Sequence, residues 1–452
     1  MSRTLDPLAL LAALGLLLLG CDGSGTMRAL DGGDDGDDDG DDDGGDDDTG
    51  DDDGGDDDAG DDDGGDDDAG DDDAGDDDSD PGDREWTLLV FINADNNLEE
   101  NGLEDISEME LVGSTPEVSV VVQIDRHSGY TQDDGDWTGA RRYLVTEDQD
   151  MSSIGSPVLE DLGEVDMGQG DTAVAFFEWG VENYPAPRVG FVFWNHGDGW
   201  SARGPGDEPL KGLSSDDQSG HSISVAEGEL EDALDQMTDV LGRKLDLLGF
   251  DACLMGMWEV AVVSAPYADV LVASEASEGV DGWEYTESIG ALVSDPEMTP
   301  GELGDAISHS FVQSGDETQS VVDLTRIGAV TAAVDDLATV ALSKPEAVLD
   351  EVEDAIGGAQ DFSWMPHRDL AHIGTRLAAN DDADISAAGV ALRDAVDDAV
   401  IAAYSANYLT SDGIAIYAPV GSWWWNYDAD YHTGAGATWA QETSWDELLQ
   451  EF

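Results

Sequence analysis

A chain of 452 residues with a formal net charge of −90 has room for one large domain or two smaller ones. Its acidity excludes nucleic acid and anionic lipid headgroups as surface partners, since both carry the same sign; cationic substrates, divalent cations and a salty medium remain compatible. Residues 31–80 hold 31 Asp and no Lys or Arg, yet about −59 remains on the rest, and three lysines (Lys211, Lys244, Lys344) leave little scope for ion-pair networks.

Residues 1–21 read as a secretory signal. Arg3 supplies a positive start, and Leu8 to Leu19 is an apolar run too short to span a bilayer, which takes about 20 residues. Gly20-Cys21 follows directly, and the segment resembles a bacterial lipoprotein signal, cut before Cys21 with the thiol then lipidated. Residues 22–83 follow as a Gly-Asp-Asp-Asp repeat almost without apolar side chains, so we expect a disordered, extended stalk. Fifty such residues give a contour of about 165 Å. The expected location is the cell envelope, lipid-anchored in the inner or outer membrane, with the domain outside the cytoplasm.

A folded region is expected over 84–452, divided into an α/β core at 84–296 and a helix-rich part at 297–452. Trp86–Ala94 is a continuous apolar run, the pattern of a strand buried on both faces. A helix is predicted over about 97–111, then a buried strand at 118–124 and a shorter, more exposed one at 142–146. A helix at 171–183 and a strand at 188–195 come next. Ile223, Val225, Leu230, Leu234 and Met237 recur at near-helical spacing over 223–239. Strands at 245–250 and 270–274 flank a helix at 255–264. The later part suggests helices at 300–314, 325–341, 345–357 and 385–404, a strand at 411–419 and a short helix from Trp445. Strands alternating with helices imply a mostly parallel sheet covered on both faces, with sites at the carboxyl ends of its strands.

Two residues with useful chemistry fall at such ends. His196 lies in Asn195-His196-Gly197-Asp198-Gly199-Trp200, and Cys253 lies in Asp251-Ala252-Cys253. The chain has only two cysteines, Cys21 and Cys253, and so placed they are not expected to pair. A nucleophilic thiol needs an imidazole to raise its thiolate fraction and to protonate the leaving amine. The Gly197 and Cys253 amides are candidates for an oxyanion hole, where losing one donor costs about 100- to 1000-fold in rate. Either residue alone reads more simply as structural, Cys253 as a small buried apolar group and His196 as a hydrogen-bonded one. Together, 57 residues apart after two strands, they make a stronger pattern. The spacing is near the roughly 50 residues of caspases. His221, His309, His367, His372 and His432 lack zinc-ligand spacing, and no Gly-x-Ser-x-Gly turn occurs. Trp423-Trp424-Trp425 suits either a binding platform or packing.

These motifs resemble the clostripain family of cysteine peptidases, relatives of caspases, gingipains and legumain. The matching pieces are residues 87–98, 193–200, 248–256, 273–275, 281–285 and 412–419, with Trp445, so the resemblance covers essentially 85–452. It implies a caspase-like α/β fold and a His196–Cys253 dyad that hydrolyses peptide bonds after Arg or Lys. It also implies a primary specificity pocket with acidic residues at Asp251 and Asp281, although Asp251 reads equally as a backbone brace and Asp281 as a turn residue. Maturation by cleavage after Arg203 or Lys211, in a Gly/Pro/Ser-rich stretch, is a further implication. The chemistry requires no cofactor. Some members use Ca2+, and the acidic surface permits it here, but no motif fixes its ligands. The expected partners are protein or peptide substrates with basic residues and a membrane held through the N-terminal lipid, with no nucleic acid. The alternative is a catalytically silent surface lipoprotein acting as a binding module.

Overall fold

The computed structural model describes residues 84–201, 212–314, 317–362, 366–421 and 428–452. The signal and stalk segments, Cys21, Arg203, Lys211 and Trp423–Trp425 lie outside the described residues.

The strands in chain order are β1 (Trp86–Ala94), β2 (Val118–Arg126), β3 (Ala140–Leu144), β4 (Val158–Gly163), β5 (Arg188–Trp194), β6 (Leu213–Asp216), β7 (His221–Ile223), β8 (Leu245–Asp251), β9 (Ala268–Ala273), β10 (Thr318–Asp323), β11 (His367–Asp369), β12 (Val400–Ser405) and β13 (Ala415–Tyr417). Nine of them form one sheet in the order β12-β10-β9-β8-β5-β1-β2-β3-β4. The centre, β9-β8-β5-β1-β2, is parallel throughout, and antiparallel strands extend both edges. Helices cover both faces, so the central strands are apolar at nearly every position rather than at every second one.

The alternation of side chains along β1 shows how two cores arise. Leu89 and Phe91 point into one cluster with Phe176, Phe191 and Phe193. Leu88, Val90 and Ile92 point into the other, with Val120, Val122 and Ile106. Each fully buried Leu or Phe contributes about 1.5–3 kcal/mol through removal of apolar surface from water. The first cluster continues into the second half of the chain through Val334, Leu337, Leu377 and Leu392. Residues 84–452 belong to one compact unit.

Several elements depart from the sequence expectation. The helix expected over 385–404 ends at Ala399, and Val400–Ser405 becomes β12, paired antiparallel with β10. The helix expected from 223 begins at Glu229, because Ile223 belongs to β7. β4, β6 and β10 were not anticipated; β10 reads Thr-Gln-Ser-Val-Val-Asp and carries little apolar signal. Five helices matter for the site: α1 (Glu99–Glu110), α2 (Gly170–Asn183), α3 (Glu229–Leu241), α4 (Trp258–Ser264) and α5 (Tyr285–Ser294). No helix among the described residues is long and apolar enough to cross a membrane.

Candidate active site

β5 and β8 are neighbours in parallel register, with Trp194 opposite Asp251. The ladder runs one step further, since the Asn195 N–H donates to the Asp251 carbonyl at 3.1 Å. His196 and Cys253 therefore leave adjacent strand tips side by side, each two residues past that pair. Both are 3 % exposed, and both line one cavity that opens to solvent. Leu98, Trp194, Asp251, Glu278 and Gly282 complete much of its wall. Gly197 passes so close to the nucleophile turn that a Cβ on it would lie 2.5 Å from the Cys253 carbonyl oxygen. No side chain fits there, and the residue after His196 is accordingly glycine.

The turn carrying Cys253 is strained. Leu254 has φ of +64°, a left-handed conformation that costs a non-glycine residue about 1–2 kcal/mol. Two backbone bonds hold it: Leu254 N–H to Ala276 O at 2.9 Å and Gly256 N–H to Ser274 O at 2.7 Å. Strain of this kind, held by its surroundings, concentrates where a side chain must be presented in one direction. The Glu278 N–H points at the Cys253 sulfur from 3.2 Å. A backbone donor so placed favours a thiolate over a thiol. The species competent for attack is the thiolate.

His196 is steered from β1. Its Nε2 lies 3.0 Å from Oδ1 of Asn97. With Nε2–H donating to that oxygen, the contact holds the ring in one orientation. Asn195 braces the same corner: its Nδ2 donates to the Asn93 carbonyl and, at 3.1 Å, to the Ser215 carbonyl, while its Oδ1 accepts the Ser215 N–H at 3.1 Å. Neither Asn97 nor the bracing by Asn195 was assigned from sequence. The signal available was polar residues crowded just after a buried strand, Asn93 to Asn97.

A second chemical feature adjoins the dyad. Asp251 is 4 % exposed; its Oδ2 accepts from the Tyr285 hydroxyl at 2.8 Å and the Trp283 N–H at 3.2 Å. Asp105 of α1 reaches the same spot, held by Trp194 Nε1–H at 2.5 Å. Gly282 sits over both: a Cβ there would lie 2.9 Å from Asp105 Oδ2 and 3.2 Å from Asp251 Oδ2. Burial, reinforced by the Asp251 charge, holds the Asp105 carboxyl well above the usual carboxylate range. Burial and then the Glu284 charge push Glu108 up to about 7. Asp281 is exposed on the turn before Gly282 and is not part of the cavity wall. Asp105 was missed because it falls in a helix whose acidic residues look like an ordinary solvated face.

Residues 90–452 match the clostripain family model. The chain belongs to the clostripain family of cysteine peptidases. It is 30% identical over 219 residues to clostripain of Hathewaya histolytica, a match covering 44% of this chain and 40% of that protein; the chain thus spans less than half of that relative's length. Its fold is similar to that of a secreted C11 cysteine protease from Bacteroides thetaiotaomicron, solved with an irreversible peptide inhibitor, at a TM-score of 0.58 and 19% identity over 80% of this chain and 99% of the other. It is also similar to an inactive zymogen C11 protease from Parabacteroides distasonis, at a TM-score of 0.56 and 18% identity over 81% and 97%. These two likenesses speak for the fold, the mixed α/β sheet flanked by helices. Within that clostripain-family fold, the motif residues of this chain sit at the tips of the two central parallel strands.

Proposed function

We propose that this protein is a cysteine endopeptidase cutting after basic residues, with Cys253 as nucleophile and His196 as its acid–base partner. One observation carries the reading: the Trp194–Asp251 register sets His196 and Cys253 on neighbouring strand tips facing one cavity. The thiolate sulfur attacks the scissile carbonyl, and the carbonyl electron pair moves to oxygen. The Gly197 and Cys253 amides are the donors assigned to that oxyanion. The imidazolium then protonates the leaving amine, giving a thioester that water hydrolyses with His196 as base. Asn97 keeps the imidazole turned, much as a third group does in other nucleophile–histidine pairs.

The basic preference follows from charge. Asp251 puts a carboxylate beside the nucleophile in a poorly hydrated corner, with the Asp105 carboxyl packed behind it. A guanidinium there gains charge-assisted hydrogen bonds that a neutral or acidic side chain cannot make. Asp281 at the exposed rim adds to the same field and steers cations toward the opening. We further assign lipidation to Cys21, a position at the cell envelope outside the cytoplasm, and activating cleavage to Arg203 or Lys211. Incubation of the full chain, under reducing conditions, with a labelled covalent inhibitor carrying an arginyl group tests the core of this proposal. The label should attach to Cys253 and be lost in Cys253→Ala. Labelling elsewhere, or equal reaction with an aspartyl counterpart, sinks it; no turnover of any peptide leaves a binding module.

A further inference from the structure

We propose that Asp95, Asp125 and Glu164 form a binding site for a hard divalent cation of the calcium type. Asp95 directly follows β1, Asp125 lies in β2 opposite Asn93, and Glu164 directly follows β4. Three segments thus bring one carboxylate each to a single point, with ligand oxygens all within 4.8 Å of one another. None of the three lines the catalytic cavity.

The state of the individual oxygens separates this group from an ordinary acidic surface. Asp95 and Asp125 are both fully buried. Each satisfies one oxygen locally: Asp95 Oδ1 accepts the Gln218 N–H at 3.0 Å, and Asp125 Oδ1 accepts the Arg126 N–H at 2.8 Å. The other oxygen of each, Oδ2, is buried with no hydrogen-bond partner. Buried polar atoms are almost always satisfied, so two orphan carboxylate oxygens in one cluster call for a ligand. Basic groups are scarce around the cluster: Arg126 Nε pairs with Glu99 at 2.7 Å, and the imidazole of His127 is the basic group felt by both Asp95 and Glu164. Burial, with neighbouring carboxylates adding to it, pushes Asp95 up to about 6 and Asp125 to about 9. A bound dication reverses that penalty.

The ligand set selects the class of ion. All donors are carboxylate oxygens, which suit hard cations. Glu164 is exposed, so water can complete a coordination shell of about six to eight oxygens, the irregular shell that calcium accepts and magnesium resists. The site also has a mechanical consequence. Asp95 is two residues before Asn97, whose oxygen faces His196 Nε2. A cation clamping Asp95 to β2 would fix the root of the loop that turns the imidazole. This coupling rests on the peptidase reading; the cation site itself does not.

Thermal melting of the full chain, in EDTA and at about 10 mM calcium or magnesium, tests the site; that concentration exceeds the roughly 10⁻⁴–10⁻³ M dissociation constants of extracellular calcium modules. The single-residue variants keep the aspartate repeat, so any calcium it adsorbs is common to both sides of each comparison. The wild type should gain several degrees in calcium and less in magnesium. Asp125→Asn and Glu164→Gln should lose most of that gain, with Asp125→Asn as stable as wild type or more so in EDTA. Glu164→Gln guards against misfolding, since its side chain is exposed. A calcium gain of wild-type size in both variants, or none in the wild type, overturns the proposal. Peptidase activity, measured in parallel, should lose its calcium response in the same two variants; failure of that arm alone removes the coupling to His196.

Discussion

Asn97 and His196, ninety-nine residues apart, meet at 3.0 Å between side-chain oxygen and Nε2. The contact crosses from the turn after β1 to the turn after β5 and orients the imidazole. Asn97→Ala should lower kcat by about 10- to 100-fold with little change in KM, a fraction of the roughly 10²–10⁴ that general acid–base catalysis supplies. The pH profile of kcat/KM should shift as well, which a merely local packing defect would not produce. Unchanged kcat in a folded variant counts against a steering role.

Asp105 and Asp251 should be separable from the dyad by substrate choice. Asp251→Asn is expected to reduce kcat/KM for arginyl substrates by about thirtyfold or more, the range for losing one partner of a buried charge pair at about 2 kcal/mol and upward. Asp105→Asn should act in the same direction, more weakly, because Asp105 reaches the pocket from behind Asp251. Parallel kcat/KM measurements on arginyl and leucyl peptides check this. Equal losses on both would mean the two carboxylates only shape the turn at Gly282.

Cleavage after Arg203 or Lys211 should yield two fragments of the reduced, active protein on a denaturing gel. Cys253→Ala should stay in one piece. An intact chain from fully active wild type removes activating cleavage from the scheme.

Glu259 offers a pH test away from the dyad. It is fully buried in α4, with Oε1 accepting the Tyr417 N–H at 2.9 Å and the Tyr431 hydroxyl at 2.8 Å. Burial raises its carboxyl from 4.5 to about 7. The folded value lies above the unfolded one, so its contribution to stability is fully present below 4.5 and is lost as pH rises through 7. Melting temperature in EDTA should fall over that window, and Glu259→Gln should flatten the fall. An unchanged slope in the variant would show that other groups carry it.

The parts of this architecture that declared themselves in the sequence share a physical cause. β1, β5 and β8 are covered on both faces, so their residues form unbroken apolar runs, and His196 and Cys253 are conspicuous as the polar interruptions that follow. Edge elements gave no such signal. β10 is polar on paper, and Val400-Ile-Ala-Ala-Tyr-Ser405 continues a helical pattern that only pairing with β10 overrides. Asp105, Asp125 and Asn97 were hidden for another reason. Each belongs to an element readable by itself, but its partner lies on a different strand or helix, and a contact between distant segments leaves no local trace. Asp125 in particular sits inside an apolar strand, where a buried carboxylate is itself an anomaly to follow up.

The seam between β5 and β8 has a bearing on any cut within 202–211. The fragment before the cut keeps β1, β2, β5 and the imidazole; the one after it keeps β8, β9 and the thiol. Their shared ladder, from Gly190↔Leu247 to Trp194↔Asp251, would continue to hold them as one body. Once nicked and denatured, however, the two halves would have to find each other by diffusion. Recovery after denaturation would then become second order in protein, so the cut enzyme would refold more slowly the more it was diluted.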